Sequence, residues 1–265
     1  MYKFDGEWAL ITGASSGIGY EMAKILAEKG VNLVLVSRNE ERLCQVGREL
    51  NEVSDIIIMP VDLSVTGSAT VLYNECERLG LKVDILVNNA GFGFFGESLD
   101  QDTRNVEAML TLNMTTLTTL SNLFGSRMKE RRKGYILNVA STAAYLPIPY
   151  FSAYSSSKSY VRHFSQALHQ EMKMHNVVVT CLIPGPTHTN FFNVAFKDNQ
   201  DDFLKWQYIM HADKVARQGL KGLYKGKREV IPGMVNKIVS FFAGMIPTSL
   251  VSSLIRRNVR LHMAS

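Results

Sequence analysis

The sequence predicts one doubly wound α/β domain, a parallel sheet with helices on both faces and a helical extension at its C-terminal end. Three observations carry that expectation. Short apolar runs alternate with longer segments of helical period, the pattern of a sheet buried on both sides. A glycine-rich turn, Gly13-Ala14-Ser15-Ser16-Gly17-Ile18-Gly19, joins the first apolar run to the first helical segment. The strand–helix unit recurs six times with no composition break, so residues 1–265 read as one domain.

Residues 7–12 form the first apolar run, and residues 20–29 repeat apolar side chains at helical spacing up to Gly30, the expected C-cap. Glycines between strand and helix let the backbone approach a pyrophosphate, whose charge is met by amides at the helix N-terminus. The spacing G-x-x-x-G-x-G makes this turn longer than the commoner G-x-G-x-x-G. Residues 31–36 are a second buried strand, ending in Ser37-Arg38. Folds that select NAD usually place there an acid for the ribose 2′-hydroxyl; here the acid is missing and a guanidinium can hold a 2′-phosphate. The expectation is therefore NADP(H) over NAD(H).

A helix is expected over 39–53, strands over 55–59 and 83–87, and a helix over 64–79 between them. Asp62 either accepts from an adenine amino group or caps the helix that follows it. Asn88-Asn89-Ala90-Gly91 stands at the carboxyl end of a strand, where α/β folds place ligands. A long helix then runs through Asn113, followed by a strand over 134–141. Next come a helix with Tyr154 and Lys158, a strand over 176–183, and the turn Pro184-Gly185.

Tyr154 and Lys158 are four residues apart, one turn of the same helix face. A free tyrosine keeps its proton to about pH 10. An ammonium beside it favours the phenolate and draws that value toward neutrality, making a group able to exchange a proton with a reacting oxygen.

Bulk composition narrows the function classes. The chain is 46% apolar, with a mean hydropathy near zero, which describes a soluble protein with a full core. Cys44, Cys76 and Cys181 have neither metal nor disulfide spacing and fit a reducing cytoplasm. The six histidines form no ligating pairs, so no metal is expected. No signal peptide is expected, since the first residues run straight into an apolar strand pattern, and no apolar run reaches the ~20 residues of a membrane span. From Gly226 onward there are six Lys/Arg and one acid, while the rest of the chain carries 23 of each sign. With the excess of +5 confined to the tail, a nucleic-acid-binding face is not expected.

Taken together, Thr12-Gly13-x-x-x-Gly17-Ile18-Gly19, Asn88-Asn89-Ala90-Gly91, Asn113, Ser141, Tyr154-x-x-x-Lys158 and Pro184-Gly185-x-Thr187-x-Thr189 resemble the short-chain dehydrogenase/reductase family. They stand in family order over three quarters of the chain, and the tail resembles ketoacyl reductase-like members. The resemblance implies a Rossmann-type fold and assigns roles to residues. Tyr154 is the general acid/base, Ser141 binds the substrate oxygen, and Lys158 lowers the tyrosine pKa and binds the nicotinamide ribose. Asn113 holds a water that links Lys158 to solvent. Gly13, Ser15, Ser16, Gly17, Ile18, Gly19, Arg38, Asp62, Asn89, Ala90 and Gly91 bind the cofactor, with Pro184, Gly185, Thr187 and Thr189 against the nicotinamide. One departure touches the cofactor. Many NADP-using relatives have a basic residue before the middle glycine, where this chain has Ser16, so Arg38 would hold the phosphate with help from Ser15.

A substrate lid is expected at about 186–212, with Phe191, Phe192, Phe196, Phe203, Trp206 and Tyr208. Phe92, Phe94, Phe95, Tyr145, Leu146, Pro147 and Tyr150 stand at the other mouths of the site. These side chains either contact a hydrophobic carbonyl or alcohol substrate or pack the lid on the body. In the tail, at about 233–265, Val235, Ile238, Val239, Phe242, Met245 and Ile246 recur at helical spacing, as do Leu250, Val251, Leu254 and Ile255 before Arg256, Arg257 and Arg260. Two amphipathic helices are expected there. Docking on the body or contact within a homodimer or homotetramer is favoured over peripheral contact with an anionic membrane.

The resulting expectation is an NADPH-dependent carbonyl reductase, with a 3-ketoacyl compound among its candidate substrates. An alcohol dehydrogenase working in the oxidative direction and a non-catalytic NADP(H) sensor are the alternatives.

Overall fold

Apolar runs become strands because both faces of the sheet are covered. The computed structural model describes residues 8–196 and 209–243, together with 252, 253 and 256. In chain order it contains β1 (Trp8–Thr12), α1 (Gly17–Ala27), β2 (Asn32–Ser37), α2 (Glu40–Leu50), β3 (Ile56–Pro60), α3 (Ser68–Arg78) and β4 (Val83–Asn88). Then follow α4 (Thr103–Leu110), α5 (Leu117–Arg131), β5 (Gly134–Val139), α6 (Ser152–Lys173), β6 (Val177–Leu182), β7 (Thr187–His188) and α7 (Phe191–Phe196). The last elements are β8 (Met210–His211), α8 (Ala212–Tyr224), β9 (Glu229–Val230) and α9 (Met234–Ala243).

Seven strands make one parallel sheet in the order β3-β2-β1-β4-β5-β6-β9, and β7 pairs with β8 apart from it. Alternate residues of one strand feed opposite cores. Ala9, Ile11, Leu33 and Leu35 pack with Met22 and Leu26 of α1, Leu43 of α2 and Leu220 of α8. Leu10, Val34 and Val36 pack with Leu72 of α3, Leu120 and Phe124 of α5 and Met172 of α6. The order in which strands join the sheet reverses between β1 and β4, which run parallel, and the loops leaving their carboxyl ends converge there.

Three elements differ from the expectation. The helix expected from residue 64 begins at Ser68 behind Gly67, and Asp62 instead closes the preceding turn, its Oδ1 accepting from Ser64 N at 2.9 Å and Ser64 Oγ at 2.6 Å. The long helix through Asn113 is two α-helices joined by a π-helical turn at Thr111–Thr116. The apolar stripe of α9 does not cover the body. Asn236, Ser240 and Ala243 are buried, whereas Val235, Ile238 and Phe242 are about half exposed. Close approach decides this: a Cβ on Gly185 would lie 2.4 Å from Asn236 Oδ1, so only small or hydrogen-bonding groups fit beneath α9. Phe203, Trp206, Tyr208, Met245, Ile246, Leu250, Val251, Leu254, Ile255, Arg257 and Arg260 lie outside the described residues.

Candidate active site

The glycine turn is held in place from the neighbouring strand. Asn89 Nδ2 donates to Thr12 O at 3.0 Å and to Gly13 O at 3.2 Å, and the amides of Asn89 and Ala90 both donate to Thr12 Oγ1 at 3.0 Å. Asn89 thus acts as a strut between the β1 and β4 loops while also lining the cleft. Gly13 and Gly17 adopt positive φ, +67° and +58°, which side chains on Cβ disfavour. A Cβ on Gly19 would lie 2.4 Å from Gly13 O. Backbone therefore meets backbone at the start of α1, and its N-cap Ser16 is exposed and makes no capping bond. These open amides fit a pyrophosphate.

At the end of β2, Ser37 Oγ donates to Ser15 Oγ at 3.0 Å, and Arg38 lies exposed on the cleft. In the first turn of α2, Arg42 also lines the cleft and donates from Nε to Ser15 O at 3.2 Å. Ser15, Ser37, Arg38 and Arg42 make a basic, hydroxyl-rich corner that fits a 2′-phosphate. Sequence reasoning missed Ser37 and Arg42. The available signal was a second guanidinium close behind Arg38, at the start of the helix expected from residue 39. Asp62 lines the same end; burial opposes its charge, but the Ser64 hydroxyl and amide and the Arg38 charge hold its carboxyl below the usual range.

The catalytic set comes together at the other end of the cleft. The π-turn swings Asn113 fully into the interior. Its Nδ2 donates to Phe92 O at 3.0 Å and Ser157 Oγ at 3.1 Å, and its Oδ1 accepts from Phe92 N at 3.3 Å. Ser157 Oγ in turn donates to Tyr154 O at 2.7 Å. Gly91 leaves the space between this amide and Lys158: a Cβ there would be 2.9 Å from Asn113 Oδ1 and 3.2 Å from Lys158 Nζ. Lys158 Nζ donates to Val139 O at 3.0 Å and lies 5.8 Å from the centroid of the Tyr154 ring.

Burial governs the protonation of this pair. The Tyr154 hydroxyl is pushed up to about 12 by desolvation, with a hydrogen bond to Ser141 pulling the other way. Phe151 stacks on the Tyr154 ring at 4.4 Å and Phe191 lies 5.2 Å away, which accounts for the dryness. Desolvation also lowers the Lys158 ammonium to about 8. The expected drop in the tyrosine pKa beside lysine is thus reversed here, because Nζ is turned to a carbonyl and both rings exclude water. Ser141 Oγ accepts from Ala143 N at 3.1 Å, which places its hydroxyl at the lip of a short turn, Thr142–Tyr145.

One cleft of about 910 Å³ connects these groups. Gly13, Ser15, Ser16, Gly17, Ile18, Arg38, Asp62, Asn89, Ala90, Gly91, Ser141, Tyr154, Lys158, Pro184, Gly185, Thr187 and Thr189 all line it. Asn113 does not, acting from behind. Thr189 faces Gly17, whose Cβ would lie 2.8 Å from its Cγ2, so the turn after β6 reaches the glycine loop. The aromatic side chains divide between the two alternatives. Phe92, Phe95, Leu146, Phe151, Phe191 and Phe192 line the cleft, whereas Phe94, Tyr145, Pro147, Tyr150 and Phe196 do not. Phe196 instead stacks on Phe95 at 4.7 Å, fastening α7 to the loop after β4.

Comparison with known proteins agrees with this geometry. The family model for short chain dehydrogenases matches residues 7–200. The chain is 34% identical to very-long-chain 3-oxoacyl-CoA reductase of Homo sapiens over 97% of its length and 82% of that protein. For the Bos taurus protein of the same name the identity is 33%, and the match covers 68% of this chain but only 59% of that protein. 17-beta-hydroxysteroid dehydrogenase type 3 of Mus musculus is 33% identical over 76% of this chain and 67% of that one. Among solved structures, a short-chain dehydrogenase from Sphingobium yanoikuyae in complex with NADPH superposes with a TM-score of 0.79. It is 29% identical, with 86% of this chain and 88% of that one covered.

Proposed function

The chain belongs to the short-chain dehydrogenase family and is an oxidoreductase, and from that premise we propose that it reduces the ketone of a hydrophobic substrate with NADPH, a long-chain 3-oxoacyl thioester being the favoured class. The observation that carries this reading is the buried, protonated Tyr154 beside Ser141 on an aromatic-walled cleft whose far end carries Arg38 and Arg42.

The residues fit the cofactor end to end. The backbone of residues 13–19 would hold the pyrophosphate, Ser15, Ser37, Arg38 and Arg42 the 2′-phosphate, and Lys158 the nicotinamide ribose. Asp62 would meet the adenine, and the turn at 184–189 the carboxamide. When bound, the nicotinamide supplies the hydride. The chain supplies everything else at the oxygen. Ser141 and Tyr154 offer hydroxyl donors to the charge that develops on the carbonyl oxygen, and Tyr154 then delivers its proton. Phe151 and Phe191 exclude water from this step. Burial keeps Tyr154 protonated at neutral pH, so the proton that the reduced oxygen needs is present on the residue that faces it. The names of the relatives support a 3-oxoacyl substrate first and a steroid ketone second.

Following cofactor absorbance with 3-oxoacyl thioesters of rising chain length, a 17-oxosteroid, and NADPH or NADH tests the reading. NADPH oxidation that strengthens with acyl length is expected. Absence of turnover with either cofactor, alongside tight NADPH binding, would move the protein to the sensor class.

A further inference from the structure

We propose that the outer face of α9 docks on an anionic lipid surface at the mouth of the cleft. This helix reverses the usual orientation of an amphipathic helix. At 3.6 residues per turn, Asn236, Ser240 and Ala243 share one side and are buried. Met234, Val235, Ile238, Val239, Phe241 and Phe242 spread over the opposite side and are 47–68% exposed. The orientation is fixed by polar contacts beneath. Asn236 Nδ2 reaches Met210 Sδ at 3.7 Å, and its Oδ1 sits against Gly185. A contiguous patch of large apolar side chains held outward in this way marks an interaction surface.

Charge selects the occupant. The chain's whole excess of +5 lies from Gly226 onward, Lys237 is exposed on the flank of α9, and Arg256 is exposed as well. Ser252 Oγ donates to Pro147 O at 3.3 Å, next to the turn at Thr142–Tyr145 on which α9 also packs. Arg256 follows Ser252 by four residues, which keeps it close to the same edge of the molecule. α9 carries no acidic residue, so a second copy would offer this face no countercharge, whereas acidic headgroups would neutralise Lys237 and Arg256. The exposed apolar side of α9 lies along the helix with Lys237 on its flank, which suits an interfacial contact with the phenylalanines entering the headgroup boundary. Val235 and Val239 line the cleft, so the patch is continuous with its mouth.

The test uses the full chain and vesicles of phosphatidylcholine with or without phosphatidylserine, and it does not depend on the substrate reading. Ile238→Glu/Phe242→Glu changes two exposed side chains outside the cleft. The unaltered protein is expected to sediment with phosphatidylserine vesicles, less so as salt rises and less so on phosphatidylcholine alone. The double variant should bind at least tenfold more weakly, with the same circular dichroism and gel-filtration volume. No sedimentation of the unaltered protein overturns the proposal. So does equal binding by the variant, or equal binding to neutral vesicles. A variant that loses an oligomer instead of lipid binding would make this face an interface between copies.

Discussion

The side-chain amide of Asn113 donates to Ser157 Oγ at 3.1 Å, and that hydroxyl donates to the backbone of Tyr154. The π-turn is thereby pinned to the N-terminal part of α6, the helix that carries both reacting side chains. Asn113→Ala removes this bond and leaves the part-buried O and N of Phe92 without their side-chain partner, so a loss of about 2 kcal/mol is expected in urea unfolding. Ser157→Ala should cost about 1 kcal/mol, since Phe92 keeps its partner. Equal stability of the two variants would show that Asn113 is not a brace.

How far the sequence reaches can be judged from these residues. The strands were legible because a sheet covered on both faces leaves only continuous apolar runs, and the glycine loop because backbone must approach backbone there. Tyr154 and Lys158 were legible because four residues make one helical turn. The π-turn was not, since 111–116 contains neither Gly nor Pro and an inserted residue in a helix has no composition of its own. Asn89 reads as a ligand-end residue but works largely as a strut, a distinction that only its bonds to Thr12 and Gly13 reveal. The α9 stripe was visible while its direction was not. Periodicity says that a helix has two faces, and Asn236 against Gly185 decides which one turns inward.

Arg38 and Arg42 should separate under substitution. Arg38 lies on the cleft, so Arg38→Ala is expected to weaken NADPH by on the order of 10- to 100-fold and to leave NADH nearly unchanged. Arg42 also holds Ser15 O, so Arg42→Ala should weaken both cofactors, NADPH more. Titration of cofactor fluorescence measures this. An equal loss for both cofactors on Arg38→Ala would make that side chain structural.

Tyr154→Phe removes one hydroxyl from a ring that is otherwise fixed between Phe151 and Phe191. The fold and NADPH affinity should hold while turnover falls by about 10²-fold or more, the scale of a lost general acid. Near-normal turnover would give the proton delivery to another group.

Lys158 joins catalysis to stability. Its ammonium is buried and its pKa falls to about 8 from an unfolded value of 10.5, so burial disfavours the charged form that the cofactor site uses. Between those values the unfolded chain holds a proton that the folded chain has released. Stability from this group therefore rises with pH from about 8 to 10.5, and below 8 the buried charge costs about 3 kcal/mol. Lys158→Met removes that cost but forfeits the bond to Val139 O, leaving an expected net gain of about 2 kcal/mol at pH 7. The gain should shrink across the same window, because the unaltered protein recovers as the lysine neutralises. NADPH binding and turnover should both collapse in the variant, and turnover of the unaltered protein should decline as pH passes about 8. Urea melts of both proteins from pH 7 to pH 10 measure the difference directly. A variant less stable than the parent at pH 7, or a difference that does not change with pH, would mean that Lys158 is held as a structural hydrogen-bond donor and is not a buried charge kept for function.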